Sequence, residues 1–332
     1  MAGRCVWKGR GVRWEVRIQA ILCVRDEGDV IAQSLTSALA WADAIHVYDT
    51  GSTDGTWEIV REMSAGTARI RPVAREEVVF DNDTRGYVFE RVKHACAHGD
   101  WVCRMDADEF YHVDPREFLR DRVAPHEGRV CTQQYEFVLT ASDAAAWEQG
   151  EETIADRARP IELRRRRFYV EPLAELRFFR YRSGMRWGRG HNLPYSPGVV
   201  AVERIPVRHY KHRDPPQMAA RCRLRSAMAR LSHHGEHWNA QDWRRLVVPD
   251  EDPRLLAWTP GQPLPDRRGR EHLFPPLKSA AQRAMYALGL PYLTDRFRTK
   301  WREGEKPVPL SDGLAAPSGG STGASSPARA GA

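Results

Sequence analysis

Asp106 and Asp108 stand one residue apart at the close of the apolar run Trp101-Val102-Cys103-Arg104-Met105, and Glu109 follows them directly. Carboxylates this close repel one another unless a cation lies between them. A hard divalent ion such as Mg2+ or Mn2+ takes carboxylate oxygens and often bridges them to substrate phosphates. A strand that ends here can turn its acids into one site; a solvated acidic loop capping the next element would use the same residues. A third acid, Asp49, ends the shorter run His46-Val47-Tyr48. The turn Thr50-Gly51-Ser52-Thr53-Asp54-Gly55-Thr56 then opens a helix. Ser52 or Thr53 is placed to cap that helix, with Asp54 facing its positive end. Asp49 is left at the mouth of its strand, able to accept hydrogen bonds from a ligand.

These acids need a sheet to carry them. Strand-like segments at 16–23, 45–48, 68–73 and 101–105 alternate with helical spacing at 29–41, 54–63 and 84–98. Such alternation predicts an α/β fold, a mostly parallel but mixed sheet with helices on both faces. Ligands bind such sheets at the carboxyl ends of the strands, where Asp49 and Asp106 fall. The pattern weakens after Asp114. Strands are expected at 129–139 and within 168–181, and a helix led by a proline pair at 216–231. The stretch 238–275, rich in proline, tryptophan and charge, gives no assignable pattern. A last helix is expected at 278–288. From Pro307 onward Gly, Ser, Pro and Ala dominate, too little apolar surface to fold.

Composition bounds the rest. The chain has 332 residues, 42% hydrophobic and 29% charged, as globular proteins do. No stretch approaches the roughly 20 apolar residues of a membrane helix. Arg4, Lys8 and Arg10 precede no apolar core, which argues against a secretory signal. None of the six cysteines is spaced as a metal knuckle, so a reduced, cytoplasmic protein is expected. The net charge is +7, with basic runs at Arg164–Arg167 and Arg221–Arg230. They are either solvated surface or contacts for an anionic membrane, a nucleic acid or a phosphorylated substrate. No nucleic-acid motif with suitably spaced aromatics is present, so nucleic acid is not an expected partner.

The ordered set of motifs resembles one family. Asp49-Thr50-Gly51-Ser52-Thr53-Asp54-Gly55-Thr56 with Met105-Asp106-Ala107-Asp108-Glu109 downstream is similar to family 2 glycosyltransferases of the GT-A fold. Within them it most resembles the bacterial branch of lipopolysaccharide-core and capsule-type enzymes. Val24-Arg25-Asp26-Glu27 matches that family's first loop, and Gly99-Asp100-Trp101-Val102 the approach to its acids; the resemblance covers about 16–114. It implies a nucleotide site of Asp49, Arg25, Glu27 and Asp106, with Asp49 on the base or ribose and Asp106 on the ribose. It also implies Mg2+ or Mn2+ on Asp108, beside Asp106, with a late histidine, His209, completing the metal shell. Where the family carries an Arg-Asn pair, this chain has Glu90-Arg91, one residue out of step; Arg91 is the diphosphate candidate. Trp187-Gly188-Arg189-Gly190-His191-Asn192 resembles a glycine-then-His-Glu segment, but Asn192 replaces the glutamate. The general base is then His191 or Glu175.

The expected organisation is an N-terminal extension (1–14), a GT-A domain (15–235) and a less regular helical extension (236–306) before the disordered tail (307–332). The domain divides into a nucleotide half (15–114) and an acceptor half (115–235). The implied activity moves a sugar from a nucleoside diphosphate sugar to an acceptor hydroxyl, with inversion, in cell-surface polysaccharide or glycoconjugate synthesis. The acceptor, a saccharide, a lipid-linked molecule or a protein, stays open. Peripheral contact with the anionic inner face of a membrane fits the basic charge. Two other readings compete. A nucleotidyltransferase would carry a glycine-rich basic loop after the first strand, which Val24-Arg25-Asp26-Glu27-Gly28 is not. A non-catalytic binding protein for nucleic acid or anionic lipid would tolerate loss of Asp106 and Asp108.

Overall fold

A computed structural model describes residues 15–80, 82–188, 191–195, 198–228, 242–266, 272–290 and 307. The expected N-terminal extension lies outside these residues, as does the tail apart from Pro307. In chain order the elements are β1 (Ile18–Val24), α1 (Ile31–Ala38), β2 (Ala44–Asp49), α2 (Thr56–Gly66), β3 (Ile70–Arg75), α3 (Asn82–Val92), β4 (Trp101–Met105) and β5 (Glu109–Tyr111). There follow α4 (Pro115–Asp121), β6 (Glu127–Phe137), α5 (Ala141–Glu148), α6 (Ile161–Arg164), β7 (Arg167–Val170), β8 (Leu176–Arg180) and β9 (Val199–Val200). The last are β10 (Ile205–His209), α7 (Pro215–Met228), β11 (Leu256–Ala257) and α8 (Pro276–Ala287).

The first half is the expected parallel sheet. β1 lies between β2 and β4, and β3 flanks β2, all parallel. Every residue of β1 is buried, as a central strand covered on both faces requires. Alternate side chains serve alternate faces. Ile18, Ala20 and Leu22 pack with Ile31 and Leu35 of α1 and Val60 of α2. Ile21 and Cys23 point the other way, towards Val88 and Phe89 of α3. Because the strands run together, Val24 pairs with Asp49 and Leu22 with Met105. The loops after β1, β2 and β4 therefore open at one edge.

Beyond β4 the sheet turns mixed. β8 is antiparallel to β4, β6 to β8, β7 to β6 and β11 to β7. β10 branches off, parallel to β6 and antiparallel to β5. A separate core of Phe110, Tyr135, Phe137, Phe168, Tyr210 and Trp258 fills this region. Trp258 belongs to the stretch that showed no sequence pattern; Trp243–Leu246 there is a short 3-10 turn, and β11 a two-residue strand. Among the described residues no helix is long and apolar enough to cross a membrane.

Two local expectations are corrected. Ser52 and Thr53 do not cap α2, which starts from the left-handed Gly55 (φ 92°) with no side-chain cap. Ser52 Oγ accepts instead from the Asp26 N–H, Thr53 N–H donates to the Asp26 carboxylate, and Asp54 accepts from the Gly28 N–H. The first two loops are thus tied to each other before either meets a ligand. The second correction concerns the basic run at Arg164–Arg167, half of which is not surface. Arg164 and Arg165 are buried, paired with Glu152, while Arg164 also reaches the fully buried Asp214 at 3.0 Å. Asp214 further accepts two hydrogen bonds from Arg157. Guanidinium groups enter a core only with such partners, because an unpaired buried charge is costly.

Burial alone would raise the pKa of Asp214, but the hydrogen bonds from Arg157 and the Gln217 N–H, with Arg164, outweigh it and hold it low. A lowered folded-state pKa contributes stability above the unfolded value of about 3.9, lost as pH falls through the folded one. Asp214→Ala should cost about 3–5 kcal/mol at neutral pH by leaving buried arginine charge unpaired. It should also flatten the acid limb of the stability curve, which urea melts of both proteins from neutral to acid pH would show.

Candidate active site

β4 ends at Met105, and the chain turns through Asp106-Ala107-Asp108 into β5, with the Glu109 N–H donating to the Asp106 carbonyl at 3.3 Å. This turn sends the two aspartates to different neighbours. Asp106, 26% exposed at its side chain, receives Arg85 from the first turn of α3 and Arg177 from β8, the latter at 2.8 Å. Arg177 also pairs with Glu109 and, at 2.7 Å, with Glu175. Burial pushes the Asp106 pKa up, yet Arg177 and Arg85 outweigh it and bring it to about 2. Glu109 fares differently: burial pushes it up to about 7 despite Arg177, and its Oε2 has no hydrogen-bond partner.

Asp108 faces the other way. The β5–β10 register sets Glu109 opposite His209, and the Tyr210 N–H donates to the Asp108 carbonyl. His209 Nε2 then lies 3.4 Å from Asp108 Oδ2, with Arg221 Nη1 of α7 at 3.1 Å and Arg213 Nη1 at 3.8 Å. Burial opposes ionisation of Asp108, but His209, Arg221 and Arg213 hold its pKa well below the usual carboxylate range. Burial likewise lowers His209, and the Asp108 carboxylate more than reverses it, so the imidazole pKa is raised. The fully buried Arg213 joins this group to the first loop. It donates to Glu27, to both oxygens of Asp29 at 2.6 and 2.9 Å, and to the Tyr210 carbonyl at 3.0 Å. Burial pushes Glu27 up to about 7 against Arg213.

The nucleotide candidates of the first two loops are close by but turned inward. Asp49 is fully buried; its Oδ1 accepts from the N–H groups of Gly51 and Ser52 at 2.8 and 2.6 Å, while Oδ2 is buried without a partner. Burial raises its pKa against those hydrogen bonds. Gly51 has φ 103°, and a Cβ there would sit 3.1 Å from the Glu77 Cα, so this turn demands glycine. Arg25 donates to the Thr50 carbonyl at 2.7 Å. Asp26, φ 52°, is the non-glycine residue with positive φ among those described, a backbone strain of the kind found at ligand loops.

Asp106, Asp108, Glu27, Glu175 and His209 therefore meet at one edge of the sheet, with Asp49 and Arg25 in the adjoining turns. Arg91 and His191 do not join them in any described contact. Arg91, exposed, donates to Tyr87 Oη at 2.8 Å on its own helix; Arg85, about 9 Å earlier along α3, reaches Asp106 instead. His191 is exposed; its carbonyl accepts from Trp187 Nε1 and its ring edges Tyr195. Glu175, 53% exposed beside Arg177, is the base candidate that the fold brings to the acids. Sequence reading named Glu109 beside the two aspartates but missed Arg85, Arg177, Arg213 and Arg221. Their one signal was electrostatic: several acids at a strand end need as many cations nearby.

Among the described residues no three His, Cys, Asp or Glu converge as a metal cage. The donor pair Asp108 Oδ2 and His209 Nε2, 3.4 Å apart, nonetheless suits a divalent ion. Neighbouring ligands of an octahedral ion at about 2.1 Å lie about 3 Å apart, and such ions usually take only one or two protein donors beside phosphates and water. Both aspartates also carry guanidinium partners, Arg85 and Arg177 on Asp106 and Arg221 on Asp108, so Asp108 differs from Asp106 in having the imidazole beside it.

A parallel half-sheet with its acids and cations gathered at the carboxyl ends of its strands is an α/β frame of the ligand-binding kind. Residues 20–168, from within β1 to the second residue of β7, match the family described as glycosyl transferase family 2. The matched segment holds Asp49, Asp106 and Asp108; Glu175, Arg177, His209, Arg213 and Arg221 come from beyond it. No curated protein matches the chain. Among solved structures the chain is similar to the mannosyltransferase PcManGT from Pyrobaculum calidifontis, solved with GDP-Man and Mn2+. The identity is 17% over 50% of this chain and 45% of that one, with a TM-score of 0.30. It is also similar to glucosyl-3-phosphoglycerate synthase from Mycobacterium tuberculosis, solved with phosphoglyceric acid, at 16% identity over 50% of this chain and 57% of that one, TM-score 0.25. The match spans about half the length of each of these proteins.

The Asp108–His209 pair makes a direct prediction for the metal-free protein. Asp108→Asn removes the anion that raises the imidazole pKa, so His209 should titrate at lower pH than in the wild type. Histidine ring resonances followed by NMR across the neutral range would show the downward shift; an unmoved titration would separate the two residues.

Proposed function

We propose that this protein transfers a sugar from a nucleoside diphosphate sugar to an acceptor hydroxyl, with Mg2+ or Mn2+ held by Asp108 and His209. The observation that carries this reading is the Asp108–His209 pair, set at the open edge of a sheet whose first half lies in the family 2 match. The bound ion would neutralise charge that develops on the departing diphosphate. The remaining roles fall to the chain. Arg25, Glu27 and Asp49 form the nucleoside end of the site, with Asp106 at the ribose. Arg85 and Arg221 are placed to share the diphosphate charge, as preformed donors that need no reorganisation during reaction. Glu175, half exposed and positioned by Arg177, takes the proton of the acceptor hydroxyl as it attacks the anomeric carbon. Attack from the face opposite the diphosphate inverts that carbon. The product class is a cell-surface polysaccharide or glycoconjugate of the lipopolysaccharide-core or capsule kind, made on the cytoplasmic side.

Thermal unfolding tests the ion. A nucleoside diphosphate at about 100 times its dissociation constant should stabilise the protein by about 2.7 kcal/mol with Mn2+ or Mg2+ present, and by less with a chelator. Equal protection with and without metal would remove the ion from Asp108. Kinetics test the division of labour. Asp108→Asn should slow turnover by about 10²–10³-fold, the scale of a lost preorganised contact to developing charge. Asp49→Asn acts away from the breaking bond, so its effect should appear chiefly in KM. Near-normal turnover of Asp108→Asn with unchanged metal dependence would sink the assignment.

A further inference from the structure

α8 is amphipathic the wrong way round for a helix that covers a core. Its inward residues are polar or aromatic: Ser279, Gln282 and Tyr286 are half-buried. Ser279 Oγ donates to the Phe274 carbonyl at 3.0 Å, and Tyr286 lies beneath the Arg182 guanidinium, 5.9 Å from its ring centroid. Phe274, just ahead of the helix, sits between Arg129 and Lys278 at 4.8 and 3.9 Å. The helix is therefore fastened to the body by cations on aromatic faces. The opposite face carries Leu277, Ala281, Ala284 and Leu288, which fall within about 60° of arc at 3.6 residues per turn. Leu277 is 87% and Leu288 71% exposed, with Met285 beside them at 39%. Apolar side chains on a helix normally turn to the core; here they form a stripe in water.

We propose that this face of α8 docks onto an anionic phospholipid surface. Charge selects that occupant over an apolar protein groove. α8 contains Lys278 and Arg283 and no acid; both cations are exposed, Lys278 about 60° from one edge of the stripe and Arg283 about 100° from the other. The sequence between α8 and Pro307 adds Arg296, Arg298, Lys300, Arg302 and Lys306 against Asp295, Glu303 and Glu305, in a chain of net charge +7. Leucines on one face with lysine and arginine on the rest of the helix is the composition of helices that lie in a bilayer interface. The surface lies on the β9 side of the sheet and uses none of the acids, arginines or histidines of the candidate active site, so it stands or falls apart from the proposed transfer.

Co-sedimentation of the full chain with vesicles tests it. The protein should pellet with vesicles of phosphatidylglycerol and phosphatidylcholine in equal parts, stay in solution with phosphatidylcholine alone, and be released by salt. Leu277→Glu with Leu288→Glu should lower the partition at least about tenfold, since two leucines leave the interface and two like charges enter it. Lys278→Gln with Arg283→Gln should lower it by about fivefold per cation removed. Ile154→Glu, an exposed apolar residue elsewhere (63%), should bind as the wild type does. Unchanged melting temperatures would show that the exposed substitutions leave the fold intact. Equal pelleting with neutral vesicles, or wild-type binding by the double leucine variant, overturns the proposal. A wild-type dimer that the leucine substitutions convert to monomer overturns it too, because the stripe would then be covered by a second copy of the chain.

Discussion

Pairing of carboxylates with guanidinium groups at the open edge of the sheet is the constraint on which the rest of this structure depends. Asp106, Asp108, Glu109 and Glu27 are drawn together where β1 and β4 end, and three of the four side chains are largely out of water. Without compensation they could not share this edge as anions, and even with it burial pushes the pKa values of Glu27 and Glu109 up to about 7. Arg85, Arg177, Arg213 and Arg221 supply that compensation from α3, β8, the loop after β10, and α7. The second half of the chain is thus required by the first: its arginines are what allow the acids of the family-matched segment to share one edge.

The same pairing divides the edge into two chemically different halves. Asp106 is answered entirely by arginines, which hold it as a fixed anion. Asp108 is answered partly by an imidazole, and an aspartate with a histidine is a donor pair that arginines alone are not. The division follows from backbone direction. The turn at Asp106-Ala107-Asp108 leaves the first acid over β4 and α3 and carries the second across to β10. Arg213 then binds that second half rigidly to the first loop through Glu27 and Asp29, so the metal candidate and the nucleoside candidates are held by one buried side chain.

Burial of arginine recurs away from the edge. Arg164 and Arg165 with Glu152 and Asp214 form a second interior network, and Arg165 donates to the carbonyl of Arg213 at 2.6 Å. The two networks are therefore continuous. Part of what reads as a basic surface in the sequence is internal scaffolding. The cations left for an outside partner lie instead on elements such as α8.

Much of the first half was legible in the residues alone. β4 was expected at 101–105 and found there, and the alternation of strand and helix up to Asp114 appears in order. Period-2 and period-3.6 patterns are local, and a parallel sheet buried on both faces writes them strongly. Asp49, Asp106 and Asp108 were visible for the same reason, since a strand end is a local feature. His209 was recognised only through resemblance, and the β5–β10 register is what puts it on Asp108. Arg85 was passed over for Arg91 because a six-residue difference on one helix changes which end of the strand a side chain reaches. Arg177, Arg213 and Arg221 carried no local mark at all: their meaning lies in partners 68 to 186 residues away. Such pairings exist only once the chain has closed on itself. Local pattern specifies the parallel sheet and the acids at its edge; which cations meet them is settled by the folded chain, because charge complementarity is set by distance in space.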